Sequence, residues 1–353
     1  MIYGANCLVG IGVNMNTCSS ISLFEQQLSK KISASTCARS CFFVACSSSE
    51  NPLCACNIIR DVDISYSLQQ SIQNAQHILE DSTSSKTVLH QSHKPYFYNQ
   101  DKAEQPRIFW NFSSIDCESS FKDIDIVDIR RLASASKNYP NIFVTVDASM
   151  ITFIGTNPLK MGAQIVYEKL PIESDCHQSI WLIMLMRSRA RRHAIALNDD
   201  DYQDFVNKIF TYKNRCACLD ESTLLKINNW LETLKKHIVM RNDFASSLAT
   251  YLRCHPLVKR CNYPGLTEHA AHNIAASVLM HGYGPIIRVL LHDECQDLDR
   301  IKRKFTRSCH ELNNSVTTQI NTYEVEYEKV FELLVDESDP FDVMVCLEQA
   351  LKV

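Results

Sequence analysis

The residue types best suited to metal chemistry, cysteine and histidine, are frequent in this chain. It contains 16 cysteines and 12 histidines among 353 residues. The densest cysteine group is Cys37, Cys41, Cys46, Cys54 and Cys56. This group lacks the paired Cys-x-x-Cys spacing of a structural zinc site. His269 and His272 are spaced like two ligands on one helix face, but no third ligand lies near them in sequence. We therefore predict no metal site, and we expect reduced, mostly buried thiols and a histidine pair on a helix surface.

Asp147 is a carboxylate whose position suggests ligand binding. It follows Val-Thr-Val at the end of a strand predicted within residues 141–149. Strand and helix patterns alternate between residues 107 and 168, which is typical of an α/β protein with a parallel sheet. Ligands of such sheets bind at the carboxyl ends of the strands. Asp147 is therefore a candidate binding residue, and a turn or helix-capping role is the alternative.

Hydrophobic periodicity predicts the elements that would position these groups. In the first half, helices are predicted at residues 22–32, 67–81 and 124–138, a short helix or turn at 157–163, and strands at 41–46, 107–112, 141–149, 164–168 and 180–186. In the second half, residues 199–255 are predicted to be helical, 285–292 and 330–336 to be strands, and 339–353 to be the last helix. Asp339 is the predicted N-cap of that helix, with Pro340 in its first turn.

The composition is that of a globular protein that can bury a large core. The chain is 45% apolar and 22% charged, with a formal net charge of -4. This charge favours neither nucleic acid nor an anionic membrane as a partner. No apolar run reaches the ~18 residues of a membrane span, and no signal peptide is recognised, so we expect a cytoplasmic protein. The basic run RSRARRH at residues 187–193 is interpreted as a solvated surface, with a phosphate-binding patch as the alternative.

Four stretches, in order, resemble segments of a known enzyme family. HPLVKRCNYPGLTEH, residues 255–269, resembles a helix end with His-Pro-x-Val, followed by Tyr-Pro-Gly-Leu and a histidine. VDASMITFIGTNPLKMGAQIV, residues 146–166, is similar to a Val-Asp-Asn-Thr strand end followed by Pro-Leu-x-x-Gly-Ala-Asp. WLETLKKHI, residues 230–238, and DPFDVMVCLEQALKV, residues 339–353, resemble two helices of the same family. The family is that of the pyridoxal-phosphate-dependent enzymes of cysteine and methionine metabolism, and cystathionine γ-lyase is the subgroup that looks most similar.

The resemblance implies a fold, a domain arrangement and a cofactor. The fold would be an aminotransferase-type large α/β domain with a mostly parallel sheet, plus a smaller C-terminal α+β domain. We predict an N-terminal segment at residues 1–20, the large domain at 21–198, and a long helix with the C-terminal domain at 199–353. The cofactor would be pyridoxal 5'-phosphate, and the substrate a small sulfur amino acid of transsulfuration.

Three site residues follow from the resemblance. Asp147 would pair with the pyridine nitrogen, which keeps the cofactor ring an electron sink. Ser149 stands where the family has a threonine near the cofactor. Lys169 would be the Schiff-base lysine and the acid/base, although the family's Ser-x-Thr-Lys run is about four residues shorter here. An exposed loop lysine is the alternative for Lys169.

Other positions depart from the family pattern. After the predicted strand CFFVAC the chain reads CSSSENP, without the glycine of the family's phosphate loop and with Glu50 beside the expected phosphate. The stacking tyrosine of the family falls near Asp63, and Tyr66 is three residues late. Glu332 replaces the arginine that holds the substrate carboxylate, which reverses the charge.

Two functions are therefore open from the sequence. The first is a pyridoxal-phosphate-dependent carbon–sulfur lyase. The second is a catalytically inactive relative that keeps the fold for assembly or regulation, as a homo-oligomer or paired with an active family member. The departures favour the second function.

Overall fold

The computed structural model describes residues 15–47, 50–58, 96–98, 107–113, 115–116, 124–136, 142–174, 177–186, 197, 199–215, 219–292, 297–312, 316–325 and 328–352.

Helices and strands alternate in the first half of the described chain, and helices dominate its middle. The helices are α1 (Met15–Thr36), α2 (Pro52–Ala55), α3 (Ile129–Ala135), α4 (Thr152–Gly155), α5 (Pro158–Met161), α6 (Asp199–Arg215), α7 (Glu221–Arg253), α8 (His272–Val278), α9 (Leu298–Glu311) and α10 (Pro340–Leu351). The strands are β1 (Ala38–Cys46), β2 (Tyr96–Tyr98), β3 (Arg107–Ser113), β4 (Ile115–Asp116), β5 (Asp125–Ile126), β6 (Ile142–Asp147), β7 (Ile165–Glu173), β8 (Ser179–Met186), β9 (Val258–Asn262), β10 (Ile286–Leu291), β11 (Gln319–Val325) and β12 (Glu328–Leu334).

The larger sheet has six strands in the order β1-β8-β7-β6-β3-β2. Strand β6 is parallel to both of its neighbours, β3 and β7. Strand β8 is antiparallel to β1 and β7, and β2 is antiparallel to β3. Four strands therefore run in one direction and two run against them. The predicted α/β fold is confirmed, and the sheet that was expected to be mostly parallel contains both parallel and antiparallel pairs.

Both faces of the larger sheet are covered. Alternate residues of a strand point to opposite faces. On β7, Val166 contributes to a core shared with α1 and α7, whereas Ile165 contributes to a core shared with α2 and α6. Every residue of β8 is buried. This double coverage explains why β8 reads as a continuous apolar run rather than as an alternating one.

The smaller sheet is antiparallel throughout, in the order β11-β12-β10-β9. Its apolar face includes Ile287 and Val289 and packs on a core that also takes Phe305 from α9 and Leu347 from α10. The 33-residue helix α7 joins the two halves: Leu224 and neighbouring residues enter the first core, and Leu252 enters the C-terminal core.

Most predicted elements are present in the described chain, and several differ in extent. The helix predicted at residues 22–32 covers Met15–Thr36, and the helical stretch predicted at residues 199–255 consists of α6 and α7. The helix predicted at residues 124–138 is shorter: Asp128 caps α3 by accepting from the Arg131 amide, and β5 precedes it. The strand predicted at residues 164–168 continues to Glu173, because pairing with β8 extends that far. The capping of α10 is confirmed, since the Asp339 side chain accepts from the Phe341 amide and Pro340 is in the first turn.

Some sequence predictions lie outside the described residues. These are the helix at 67–81 and the basic run at 187–193. The domain boundaries at residues 20 and 198 stay predictions. Among the described residues, no helix is long and apolar enough to cross a membrane.

Candidate functional site

Asp147, Ser149 and Lys169 lie together at the carboxyl end of β6. The Ser149 side chain donates to Asp147 Oδ1 at 2.5 Å, and its backbone N–H donates to the same oxygen at 2.8 Å. The Lys169 backbone N–H donates to Ser149 Oγ at 2.8 Å. Ser149 therefore bridges the end of β6 to the neighbouring strand β7. The three residues selected from the sequence form one hydrogen-bonded group.

Lys169 is part of a strand and not of a loop. It lies in β7 opposite Trp181 of β8, and it is exposed. Asp147 is the register partner of Tyr167 on β7. Because side chains alternate along a strand, Lys169 points to the same face of the sheet as Tyr167. The carboxylate and the lysine thus share one face, and the predicted loop position of Lys169 is wrong.

Two aromatic side chains cover this face beside Lys169. Tyr167 is buried, and its hydroxyl accepts a hydrogen bond from Asn51 Nδ2 at 3.0 Å. The rings of Tyr167 and Trp181 are 6.0 Å apart. The Trp181 Nε1–H is buried and has no acceptor among the described residues. Nothing in the one-dimensional pattern marked Tyr167 or Asn51, because both act through a contact between segments 116 residues apart.

Glu168 lies between Tyr167 and Lys169 on β7, and its side chain points to the opposite face of the sheet. It is fully buried, its Oε2 accepts from the Phe153 amide at 2.7 Å, and its Oε1 has no described partner. Burial raises the pKa of the Glu168 carboxyl to about 8 from 4.5, the Phe153 hydrogen bond opposes this shift, and the Asp147 charge adds to it. The Glu168 carboxyl is therefore largely protonated at neutral pH. The protonated form carries no charge, so its burial in an apolar core costs less free energy than burial of the carboxylate.

Arg241 of α7 supports the turn that follows Asp147. Its guanidinium donates to the Met150 carbonyl at 3.0 Å. Burial lowers the pKa of Arg241, and the nearby Glu337 and Asp336 carboxylates oppose that shift. The long helix thereby connects the candidate site to the segment after β12. The sequence offered no signal for this contact, since Arg241 sits among other polar residues of the helical pattern.

His269 and His272 do not form the exposed pair that the sequence suggested. Both are half-buried. His269 Nε2 lies 2.6 Å from Asn262 Oδ1, and His272 Nδ1 lies 2.9 Å from the Pro264 carbonyl. The His272 ring also stacks on Tyr283 at 5.3 Å. The two histidines hold the turn that contains Tyr-Pro-Gly-Leu. Among the described residues, no group of three or more His, Cys, Asp or Glu is placed to hold a metal ion.

Several curated relatives match part of the chain, and no family model matches it. L-methionine gamma-lyase of Fusobacterium nucleatum subsp. polymorphum is 24% identical over 165 residues, which is 47% of this chain and 39% of that protein. Cystathionine beta-lyase of Coxiella burnetii is 29% identical over 184 residues, or 52% and 43%. Cystathionine gamma-lyase of Sus scrofa is 24% identical over 152 residues, or 43% and 35%. The matched stretches thus span about two fifths of the length of these relatives.

Solved structures match the chain over nearly its whole length. O-acetylhomoserine sulfhydrylase of Wolinella succinogenes has a TM-score of 0.64 at 14% identity, covering 94% of this chain and 96% of that one. A putative O-acetylhomoserine (thiol)-lyase of Campylobacter jejuni, whose structure contains N'-pyridoxyl-lysine-5'-monophosphate, has a TM-score of 0.61 at 17% identity, covering 94% and 86%. The chain is therefore similar to enzymes of the pyridoxal-phosphate-dependent cysteine and methionine family, over part of its sequence and in its fold. The relatives bear several names, so the likeness to the cystathionine γ-lyase subgroup stays a prediction.

The family's phosphate loop can be tested against the turn between β1 and α2. A phosphate at such a helix start is bound by free backbone N–H groups. Here the Leu53 amide donates to Asn51 Oδ1, and the Cys54 and Ala55 amides donate to the Asn51 carbonyl. Pro52 has no N–H group, and the Glu50 amide donates to the Ser47 carbonyl. The amides of residues 50 and 53–55 are thus bonded within the turn, and Glu50 adds a carboxylate, so this part of the turn does not fit a pyridoxal-phosphate phosphate group.

Glu332 does not present a free negative charge where the family has its arginine. It lies on β12 directly opposite Arg288 of β10, and Arg288 Nε donates to Glu332 Oε2 at 2.8 Å. The Tyr323 hydroxyl and the Asn321 amide donate to Oε1 at 3.1 and 3.4 Å. The side chains of Arg288 and Glu332 are 2% and 11% exposed. The expected charge reversal is therefore neutralised within a buried ion pair of the smaller sheet.

Several other family positions fall outside the described residues. Asp63 and Tyr66, the candidates for the stacking tyrosine segment, are among them, and so is Asp175. The interpretation of this segment as the family's Schiff-base lysine run consequently depends on Lys169.

Replacing Glu168 with glutamine should stabilise the protein, and more so at higher pH. The folded pKa is raised above the unfolded value, so the folded protein retains a proton that the unfolded chain loses, and stability falls as pH rises from about 4.5 to about 8. Glu168→Gln keeps the acceptor for Phe153 without this titration. We expect its gain in unfolding free energy to be about 3 kcal/mol larger at pH 8 than at pH 5. Urea unfolding at both pH values measures this gain in unfolding free energy. The variant Glu173→Gln, at an exposed position on the same strand, is the control. An equal gain at both pH values would contradict a raised pKa of Glu168.

Removing Arg288 should destabilise the smaller sheet strongly. Arg288→Met leaves the Glu332 carboxylate buried without its cation, which costs about 3–5 kcal/mol. The double variant Arg288→Met/Glu332→Leu removes both charges and should recover at least half of that loss. Chemical denaturation of the three proteins is the measurement. Equal loss in the single and double variants would show that the ion pair is not the source of the effect.

Proposed function

We propose that this chain is a non-catalytic relative of the pyridoxal-phosphate-dependent sulfur amino-acid lyases, which keeps the fold for assembly or regulation. The observation that carries the proposal is the turn between β1 and α2. The amides of residues 50 and 53–55 are bonded internally, and Glu50 adds negative charge where a dianion would bind. A phosphate there would have to break the Asn51 cap and face a carboxylate, both of which cost free energy.

The groups around Asp147 support the same proposal. Asp147 Oδ1 already accepts two hydrogen bonds from Ser149. Ser149 Oγ in turn accepts from the Lys169 amide, so this hydroxyl serves to join two strands. The arrangement stabilises the sheet end whether or not a ligand binds. In this role Ser149 acts as a bridge and Asp147 as the acceptor that fixes the turn.

The competing function is an active carbon–sulfur lyase of the transsulfuration type. One observation favours it: Asp147 and Lys169 lie on the same face of neighbouring strands, at the edge where ligands of such sheets bind. A bound pyridoxal phosphate would supply an electron sink for the substrate, and Lys169 would be the residue that holds it. This function requires a phosphate anchor other than the described part of the turn after β1.

Assembly with a second subunit agrees with apolar side chains that remain on the surface. Leu23 on α1 and Leu225 on α7 are 57% and 49% exposed. The two helices also contact each other, since Lys31 forms an ion pair with Glu232. We propose that this surface takes part in a homo-oligomer or in pairing with an active family member, in the cytoplasm.

The deciding experiment is labelling with the cofactor itself. The purified full chain is mixed with pyridoxal phosphate, its absorption spectrum is recorded, and borohydride reduction followed by peptide mapping locates any modified lysine. We expect no absorption band of a lysine-bound cofactor and no modification of Lys169 above that of Lys160, an exposed lysine on α5.

The variants Lys169→Ala and Lys160→Ala control for surface modification. A near-stoichiometric label on Lys169 that disappears only in Lys169→Ala would overturn the proposal and establish the lyase-type site. Assays with cystathionine and cysteine would then identify the substrate.

A further inference from the structure

Two cysteines of the C-terminal core lie against each other. Cys309 is on α9 and Cys346 is on α10, and both side chains belong to the core beneath the smaller sheet. Their thiols are free and hydrogen-bond to each other. Cys309 is 8% exposed and Cys346 is fully buried. The two thiols thus meet across two helices, although 36 residues of the chain separate Cys309 from Cys346.

A cavity leads from the surface to Cys309. Its volume is about 340 Å³, and Cys309 is among its lining residues, with Thr306, His310, Thr318 and Asn321. This volume exceeds that of a small oxidant such as a hydroperoxide. Cys346 is not among the residues that line the cavity. One thiol can therefore meet a small molecule while the other is in position to react with its product.

We propose that Cys309 and Cys346 form a reversible disulfide when a small hydroperoxide enters this cavity. The pair is a modification site that is independent of the Asp147 site and of the function proposed for it. Closing the bond would tie the last helix, α10, to α9.

The reaction balances with the peroxide as the two-electron oxidant. The Cys309 sulfur attacks one peroxide oxygen, the O–O bond breaks, and the leaving oxygen takes a proton to become water or an alcohol. Cys309 is then a sulfenic acid. The Cys346 sulfur attacks the Cys309 sulfur, the S–O bond breaks, and the hydroxide leaves as water with the Cys346 proton. Two thiols and one hydroperoxide give one disulfide, water, and a second water or an alcohol.

The surroundings make this reaction slow at neutral pH. Burial raises the pKa of Cys309 to about 12, and the contact with Cys346 adds to the shift. Burial also raises the pKa of Cys346; the Cys309 hydrogen bond opposes this, and the Asp342 and Glu311 carboxylates add to it. The thiolate is the reacting form. The rate of disulfide formation should therefore rise about tenfold per pH unit between pH 7 and pH 9.

The test uses the full chain treated with hydrogen peroxide. The exposed Cys37 and Cys254 are replaced by serine to suppress bonds between molecules. After reaction, free thiols are blocked with iodoacetamide and the protein is digested without reductant. We expect one peptide pair that joins Cys309 to Cys346, is two hydrogens lighter than its parts, and separates on reduction. The linked protein should melt about 3–8 °C higher than the reduced one, because the bond restricts the unfolded chain.

Matched variants separate the pair from other thiols of the same core. Cys309→Ser and Cys346→Ser should each abolish the linked peptide and the rise in melting temperature. Cys261→Ser should retain both, since the Cys261 thiol is buried in the same core but donates to the Ala249 carbonyl. Blocked thiols at both Cys309 and Cys346 after peroxide treatment, or over-oxidation of Cys309 without a link, would overturn the proposal.

Discussion

The burial of the larger sheet on both faces is the constraint from which the rest of the structure follows. Its central strands must be apolar on both sides, as β8 shows, so polar side chains are confined to strand ends or must find partners. Asp147 and Ser149 are placed at such an end, where each satisfies the other. Glu168 is a carboxyl buried within the sheet, and it remains there because the core holds it as a neutral group.

The same requirement explains how polar groups that could meet a ligand are paired within the protein. Asn51 caps α2 through its oxygen and reaches Tyr167 through its amide nitrogen. In the smaller sheet, Arg288 and Glu332 neutralise each other across adjacent strands. Each pairing is a self-sufficient solution to burial and needs no bound molecule. The proposed scaffold function rests on pairings of this kind.

The two halves of the protein depend on α7. Its first turns pack under the larger sheet and its last turns under the smaller one, while Arg241 in between holds the turn after Asp147. The C-terminal core is otherwise closed by α9 and α10, which meet at Cys309 and Cys346. A covalent bond at that meeting point would act on the core farthest in sequence from Asp147, so chemistry in one half need not disturb the hydrogen bonds of the other.

The sequence by itself determined the α/β class, most element positions, the capping of α10 by Asp339 and the family resemblance, because periodicity, capping and motif order are local properties. It also selected Asp147, Ser149 and Lys169, which lie together. It did not determine that Lys169 is in a strand, since β7 is extended by pairing with β8. Nor did it determine the partners of Glu332, Asn51 or Cys309, which lie on other elements. Only the tertiary structure decided these contacts, because they join segments distant along the chain and arise from register and packing.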